Sequence, residues 1–148
     1  MAWTTELTEQ LRLYLDSTDT TYSDITMQKF IALGAFHLYA NLNLLDTYTV
    51  NVVEYTISPD PTVDPNLAAI IVLKAAVIVV QSEYKKACLN YGFRLQDGKS
   101  SIDGTAALQG MKDLIQSYEK NLKNAISEYQ RGNANIGRAI LSPYTSES

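Results

Sequence analysis

Cysteine occurs once in this chain of 148 residues, at Cys88, so no disulfide can form within it. Its setting in an apolar helical stretch predicts a buried, inert thiol, which is compatible with a reducing cytoplasm. Histidine also occurs once. His37 stands between Phe36 and Leu38 with no second histidine and no nearby cysteine to complete a metal set, so it reads as a structural or surface residue. Phosphate loops are missing, because neither G-x-x-x-x-G-K-[ST] nor G-x-G-x-x-G occurs. Asp97-Gly98-Lys99-Ser100 lacks the upstream glycine and reads as a turn. No nucleophile elbow is present either. Asp60 and Asp64 lack the ligand spacing and turn glycine of a calcium loop, which leaves them as turn and capping residues. With these sets absent, the chain reads as a non-enzyme without cofactor or metal. A helical hydrolase built from scattered acids ranks last among the alternatives.

Positive charge is scarce as well. The sequence pI is near 4.9 and no Arg/Lys stripe alternates with aromatics, which argues against dedicated nucleic-acid binding. The longest apolar stretch, Leu67 to Val80, spans only 14 residues and contains Lys74. It is too short to cross a bilayer and is expected to be a core helix. The opening MAWTTELTEQ has no basic region followed by an apolar run, so no secretory signal is expected.

What the chain does contain is 46% hydrophobic and 19% charged residues, a globular balance, and ten tyrosines that offer amphipathic contact area. Its length suits one domain with extensions. The net charge of −4 is unevenly divided: residues 1–64 hold nine Asp/Glu against two Lys/Arg (−7), and residues 65–148 hold seven against ten (+3). Such a division is either an ordinary solvated face or a polar molecule that pairs head to tail or lines a repulsive acidic surface.

Apolar periodicity predicts four helices. Thr4 or Thr5 caps the first, which runs to about Asp16 with Leu7, Leu11, Tyr14 and Leu15 on one stripe. Ser23 or Asp24 caps the second, running to about Leu45. Its stripe is Met27, Ile31, Gly34, Leu38, Leu42 and Leu45, widened by Phe30, Leu33 and Phe36. Gly34-Ala35 permits close approach of a neighbouring helix, at a propensity cost of about 1 kcal/mol. The third helix starts at Asp64-Pro65 and runs to about Tyr91, with Gly92 as its stop. Its apolar first half makes it central to a bundle or buried by a partner. After a loop at Phe93–Asp103, Asp103 caps the fourth helix. Leu108, Met111, Ile115, Tyr118, Leu122, Ala125 and Tyr129 form its heptad seam up to Arg131-Gly132.

Between the second and third helices the period changes. Tyr48, Val50 and Val52 alternate, and Val53, Tyr55 and Ile57 alternate in the opposite phase, as in a β-segment with a bulge or bend, or a hairpin. A two-stranded ribbon is marginal alone, so Tyr48, Val50, Val52, Tyr55 and Ile57 are expected to pair with a neighbouring subunit or to lie against the helices. The fold class is thus mainly α: a four-helix bundle-like domain with a short β-segment or hairpin and an extended C-terminal tail.

That tail, Gly132–Ser148, carries Ile136, Ile140, Leu141 and Tyr144 in a stretch too short for a core of its own. Apolar residues on such a segment make physical sense when another surface buries them. Ile136, Arg138, Ile140, Leu141 and Tyr144 are therefore candidate partner-docking residues; the alternative is that the tail folds back on its own helices.

The layout resembles the head-to-tail connector, or adaptor and head-completion, proteins of tailed bacteriophages. The resemblance rests on the helix order, the β-segment and proline loop, and Phe93-Arg94-Leu95-Gln96-Asp97-Gly98-Lys99-Ser100-Ser101-Ile102-Asp103 leading into the fourth helix. It implies a connector domain over residues 1–131 and a docking tail over 132–148. It further implies a homo-oligomeric ring of about twelve subunits in the virion neck, assembled in the bacterial host cytoplasm. The implied partners are the portal protein, a downstream neck or tail protein, and DNA passing through the lumen without sequence-specific binding; no membrane is involved. The rival reading is a soluble helical scaffolding or regulatory protein-binding module.

Overall fold

The structure is a computed structural model. It describes residues 2–15, 22–42, 44, 47–96 and 102–145, with side chains described for 3–15, 22–42, 44, 47–90 and 107–132. The elements in chain order are α1 (Ala2–Leu15), α2 (Asp24–Asn41), β1 (Thr49–Asn51), β2 (Thr56–Ser58), a 3-10 turn (Pro61–Val63), α3 (Pro65–Gln96) and α4 (Ile102–Thr145). The protein is mainly helical, with one short antiparallel hairpin.

Caps set most of these boundaries. Ser23 Oγ accepts the Thr26 N–H at 3.3 Å at the start of α2, and Asp64 Oδ1 accepts the Leu67 N–H at 3.3 Å at the start of α3, just ahead of Pro65. At the start of α1 the acceptor is distant in sequence. The Trp3 N–H donates to the Asp60 carboxylate, so α1 begins ahead of the expected Thr4 or Thr5 cap. α2 stops at Leu42, earlier than expected, because the backbone there turns extended and the Leu42 N–H closes on Leu38 O at 2.9 Å.

α3 is the central helix and touches α1, α2, α4 and the 3-10 turn. Leu67, Ile70, Ile71, Val72, Ala75, Ala76 and Val77 are buried among Trp3, Leu7 and Leu11 of α1 and Met27, Ile31, Ala35 and Leu38 of α2. A helix apolar nearly all round has this position as its natural place. Gly34 makes the α2–α3 crossing close: a Cβ there would lie 3.2 Å from the Ala75 backbone nitrogen and 3.4 Å from the Ile71 carbonyl oxygen. α4 lays its expected seam on α3. Ile115 and Leu122 are buried, Leu108, Met111, Tyr118, Ala125 and Tyr129 are half-buried, and the opposite face is exposed.

Two helix ends differ from expectation. α3 passes through Gly92 to Gln96, so the first residues of the expected Phe93–Asp103 loop are helical, while residues 97–101 lie outside the described residues. α4 starts at Ile102 and passes through Gly132 to Thr145, so Arg131-Gly132 is no helix end. Glycine inside a helix costs about 1 kcal/mol and does not forbid it. No Cβ clash or left-handed backbone turn marks Gly132 as a stop. Residues Pro65–Asn90 are long and apolar enough to cross a membrane by length and composition, which the shorter span to Val80 did not suggest. In the fold, 56% of the most apolar window is buried within the protein.

Candidate functional site

The hairpin closes within the chain, pairing Thr49 with Ser58, Val50 with Ile57 and Asn51 with Thr56. The change of phase at Val52-Val53 is its turn, held by Asn51 Oδ1, which accepts the Val53 and Glu54 N–H groups at 2.9 and 3.1 Å. Tyr55 adopts φ 54°, the left-handed region, and the Lys29 ammonium sits 5.4 Å from its ring centroid. Tyr48 stacks on Tyr39 of α2 at 5.0 Å, Val50 is half-buried against the core, and Ile57 is buried. Three of the five β-segment candidates thus pack on the chain's own helices. Val52 is half-buried at the turn beside Val53, which is 84% exposed.

Tyrosine hydroxyls tie the elements together. Tyr129 of α4 donates to Asp64 Oδ2 at 2.8 Å, while the other oxygen of Asp64 caps α3. Tyr22 donates to Glu83 of α3, and burial, that hydrogen bond and the Glu83 charge push its pKa up to about 12. Burial, with the neighbouring Tyr48 and Tyr129, raises Tyr39 well above the usual tyrosine range. Tyr14 of α1 meets Tyr118 of α4 with ring centroids 5.1 Å apart. Buried Arg12 joins α1 to α2 by pairing with Asp24 and donating to the Tyr22 carbonyl at 3.0 Å. Burial alone would raise the Asp60 carboxyl, but donors from Thr62 and Trp3 outweigh it and hold it below the ordinary value.

Two open clefts flank α4. One, about 530 Å³, is lined by Asp64, Asn66, Ala69, Glu128, Tyr129 and Gly132. Ile136, Arg138, Ile140, Leu141 and Tyr144 follow directly on the helical backbone; their side chains lie outside the described residues. The other, about 500 Å³, lies between α3 and α4 and is lined by Gln81, Tyr84, Lys85, Lys112, Ile115 and neighbours. Among the described residues no three His, Cys, Asp or Glu side chains are grouped to hold a metal. His37 is exposed, with its ring against Phe36, and Cys88 is half-buried rather than buried.

Exposed apolar side chains are spread over several elements: Leu13, Ile25, Phe36, Val53, Val63, Leu89 and Leu114. Periodicity reveals the buried stripe of each helix but says little about which apolar residue outside the stripe stays uncovered, so Leu13 and Ile25 are not singled out by sequence. Trp3 and Arg12 are also missed. Trp3 is buried and bonds to the distant Asp60, buried Arg12 meets Tyr22 and Asp24 at the next helix, and no local pattern announces either. Comparison with known proteins identifies no matching family, no similar curated protein and no similar solved structure.

Proposed function

We propose that this chain is a structural subunit of a phage neck, assembling as a ring between portal and tail around a channel for DNA. The observation that carries the reading is α4, a helix of 44 residues and so about 66 Å long, against about 21 and 27 Å for α1 and α2. Among the described side chains, which end at Gly132, the bundle core uses its seam as far as Tyr129. The same helix then carries Ile136, Ile140, Leu141 and Tyr144 onward, a length and composition suited to reaching a second protein. Polar tyrosine links and exposed apolar side chains fit a subunit that is soluble before assembly and covered afterwards. The resemblance to phage connectors supplies the rest: the portal as upstream partner and a neck or tail protein below.

The test is co-sedimentation of the purified chain with a portal protein from the same source, followed by electron microscopy of the product. A ring seated on the portal is expected. Binding instead to a single cellular protein without ring formation would favour the scaffolding or regulatory module.

A further inference from the structure

The exposed charge of α1 is of one sign, Glu6 and Glu9, whereas α3 and α4 carry both signs. Among the described residues only two ion pairs occur, Arg12–Asp24 and Lys86–Glu83. Glu6 and Glu9 of α1, and Lys85 and Lys112 beside the α3–α4 groove, have no ion-pair partner there. Glu9 and Leu13 are one turn apart on the outward side of α1, opposite buried Leu7 and Leu11, and Glu6 flanks them. Leu13 is 79% exposed, a large apolar side chain on the same face as the two preceding carboxylates.

The groove carries two lysines against one carboxylate. Tyr84 and Ile115 line it together with Lys85 and Lys112, and Glu119, also in the lining, accepts from Gln81 Nε2 at 2.8 Å. Its position follows from helix geometry. At about 100° per residue, Lys112, Gln116 and Glu119 fall on one flank of the line through Ile115 and Leu122, and Leu114 and Tyr118 fall on the other. Tyr118 meets Tyr14, so α1 lies toward the flank of α4 opposite the groove. A chain therefore cannot fill its own groove with the outer face of its own α1, whereas a neighbouring copy can. Because the two surfaces differ, the contact is heterologous and repeats from subunit to subunit.

We propose that the outer face of α1, Glu6, Glu9 and Leu13, docks into the Tyr84–Lys85–Lys112–Ile115 groove of a second copy, with Leu13 on the apolar floor and the carboxylates on the two lysines. The inference rests on the ring reading of the preceding subsection and names the contact that closes the ring. One face of a 14-residue helix is small against the roughly 1,200 Å² or more of a standard interface, so each contact is weak and gains from repetition around a ring.

The test uses the full chain. Sedimentation velocity over a concentration series compares the wild type with Glu6→Lys/Glu9→Lys, Lys85→Glu/Lys112→Glu, and the chain carrying all four changes. Each double reversal is expected to weaken self-association by about tenfold or more, and the fourfold swap to restore it. All these positions are solvent-accessible, and unchanged circular dichroism checks that each variant folds. In parallel, Leu13→Cys and Gln116→Cys, each in a Cys88→Ser background, are mixed with a short bis-maleimide. A crosslinked pair is expected from the mixture and none from either chain alone. A wild type that stays monomeric throughout and yields no crosslink overturns the proposal. Self-association that survives both reversals removes this contact while leaving a ring built on other surfaces. Crosslinking with no portal binding upholds the contact and removes the neck assignment.

Discussion

The hydroxyl of Tyr129 and the carboxylate of Asp64 meet at 2.8 Å across 65 residues of chain, and the same carboxylate caps α3 through the Leu67 N–H. One side chain thus terminates the central helix and ties α4 to it. Tyr129→Phe removes the hydroxyl that donates to Asp64 and should cost about 1 kcal/mol. Asp64→Ala removes cap and tie together and should cost about 2 kcal/mol, with α3 fraying at its start. A double-mutant cycle by urea unfolding checks the pair; additive effects would mean the hydroxyl and carboxylate act independently.

Much of this arrangement is legible in the sequence, and what is not has a common cause. The Ser23 cap, the Asp64-Pro65 start, the α4 seam and the Gly34 crossing are local or periodic signals, and each appears where its residues place it. The first cap of α1 is not legible, because its acceptor is Asp60 and only the folded chain brings the two together. Gly92 and Gly132 mislead for the opposite reason. Glycine is a strong stop signal only when the backbone turns left-handed after it, and a continuing helix uses it at small cost. The candidate docking residues beyond Gly132 are legible as an apolar pattern, but their surroundings depend on whatever they meet.

Gly34 supplies the next expectation. An added Cβ would press on the Ala75 backbone at 3.2 Å, and α3 backbone cannot swing aside as a side chain can. Gly34→Ala gains about 1 kcal/mol of helix propensity and should lose more than that to the crossing. A net destabilisation of about 1 kcal/mol is expected by urea titration, and Gly34→Leu should be worse. A stabilised Gly34→Ala would mean that the two helices can separate freely.

Trp3 is the single tryptophan and is fully buried. Trp3→Ala should cost about 3–5 kcal/mol, because it leaves a large cavity where α1 meets the 3-10 turn. The same residue makes intrinsic fluorescence a reporter of α1 docking. A blue-shifted emission that moves to the red in one transition with the loss of helical circular dichroism is expected. An earlier fluorescence transition would show α1 detaching by itself.

Alkaline pH should destabilise the fold through Tyr22. In the unfolded chain this hydroxyl ionises near 10, whereas in the fold its pKa is pushed up to about 12. The folded state then holds a proton that the unfolded state has lost, so stability falls as pH rises from about 10 to 12. Burial of Tyr39 acts in the same direction. Urea midpoints measured along that range should decline for the wild type and decline less for Tyr22→Phe, which has no phenol to ionise. Equal slopes in the two proteins would remove Tyr22 as a cause.

Removing residues 133–148 separates folding from docking. The described core cluster draws nothing from beyond Tyr129, and the tie to Asp64 survives the cut. The shortened chain should therefore unfold at nearly the same urea midpoint, with a helical signal reduced only by the lost residues. Binding to the portal should disappear, since Ile136, Arg138, Ile140, Leu141 and Tyr144 leave with the segment. Point changes refine the cut: Ile140→Asp with Leu141→Asp, made in the full chain, should weaken binding while leaving the midpoint in place. If the truncated chain instead loses several kcal/mol of stability, the segment belongs to the bundle, folding back on the helices that precede it. Retained portal binding by a stable truncated chain would move the docking site to an exposed apolar group ahead of the cut, such as Val53 at the hairpin tip or Ile25 and Phe36 on α2.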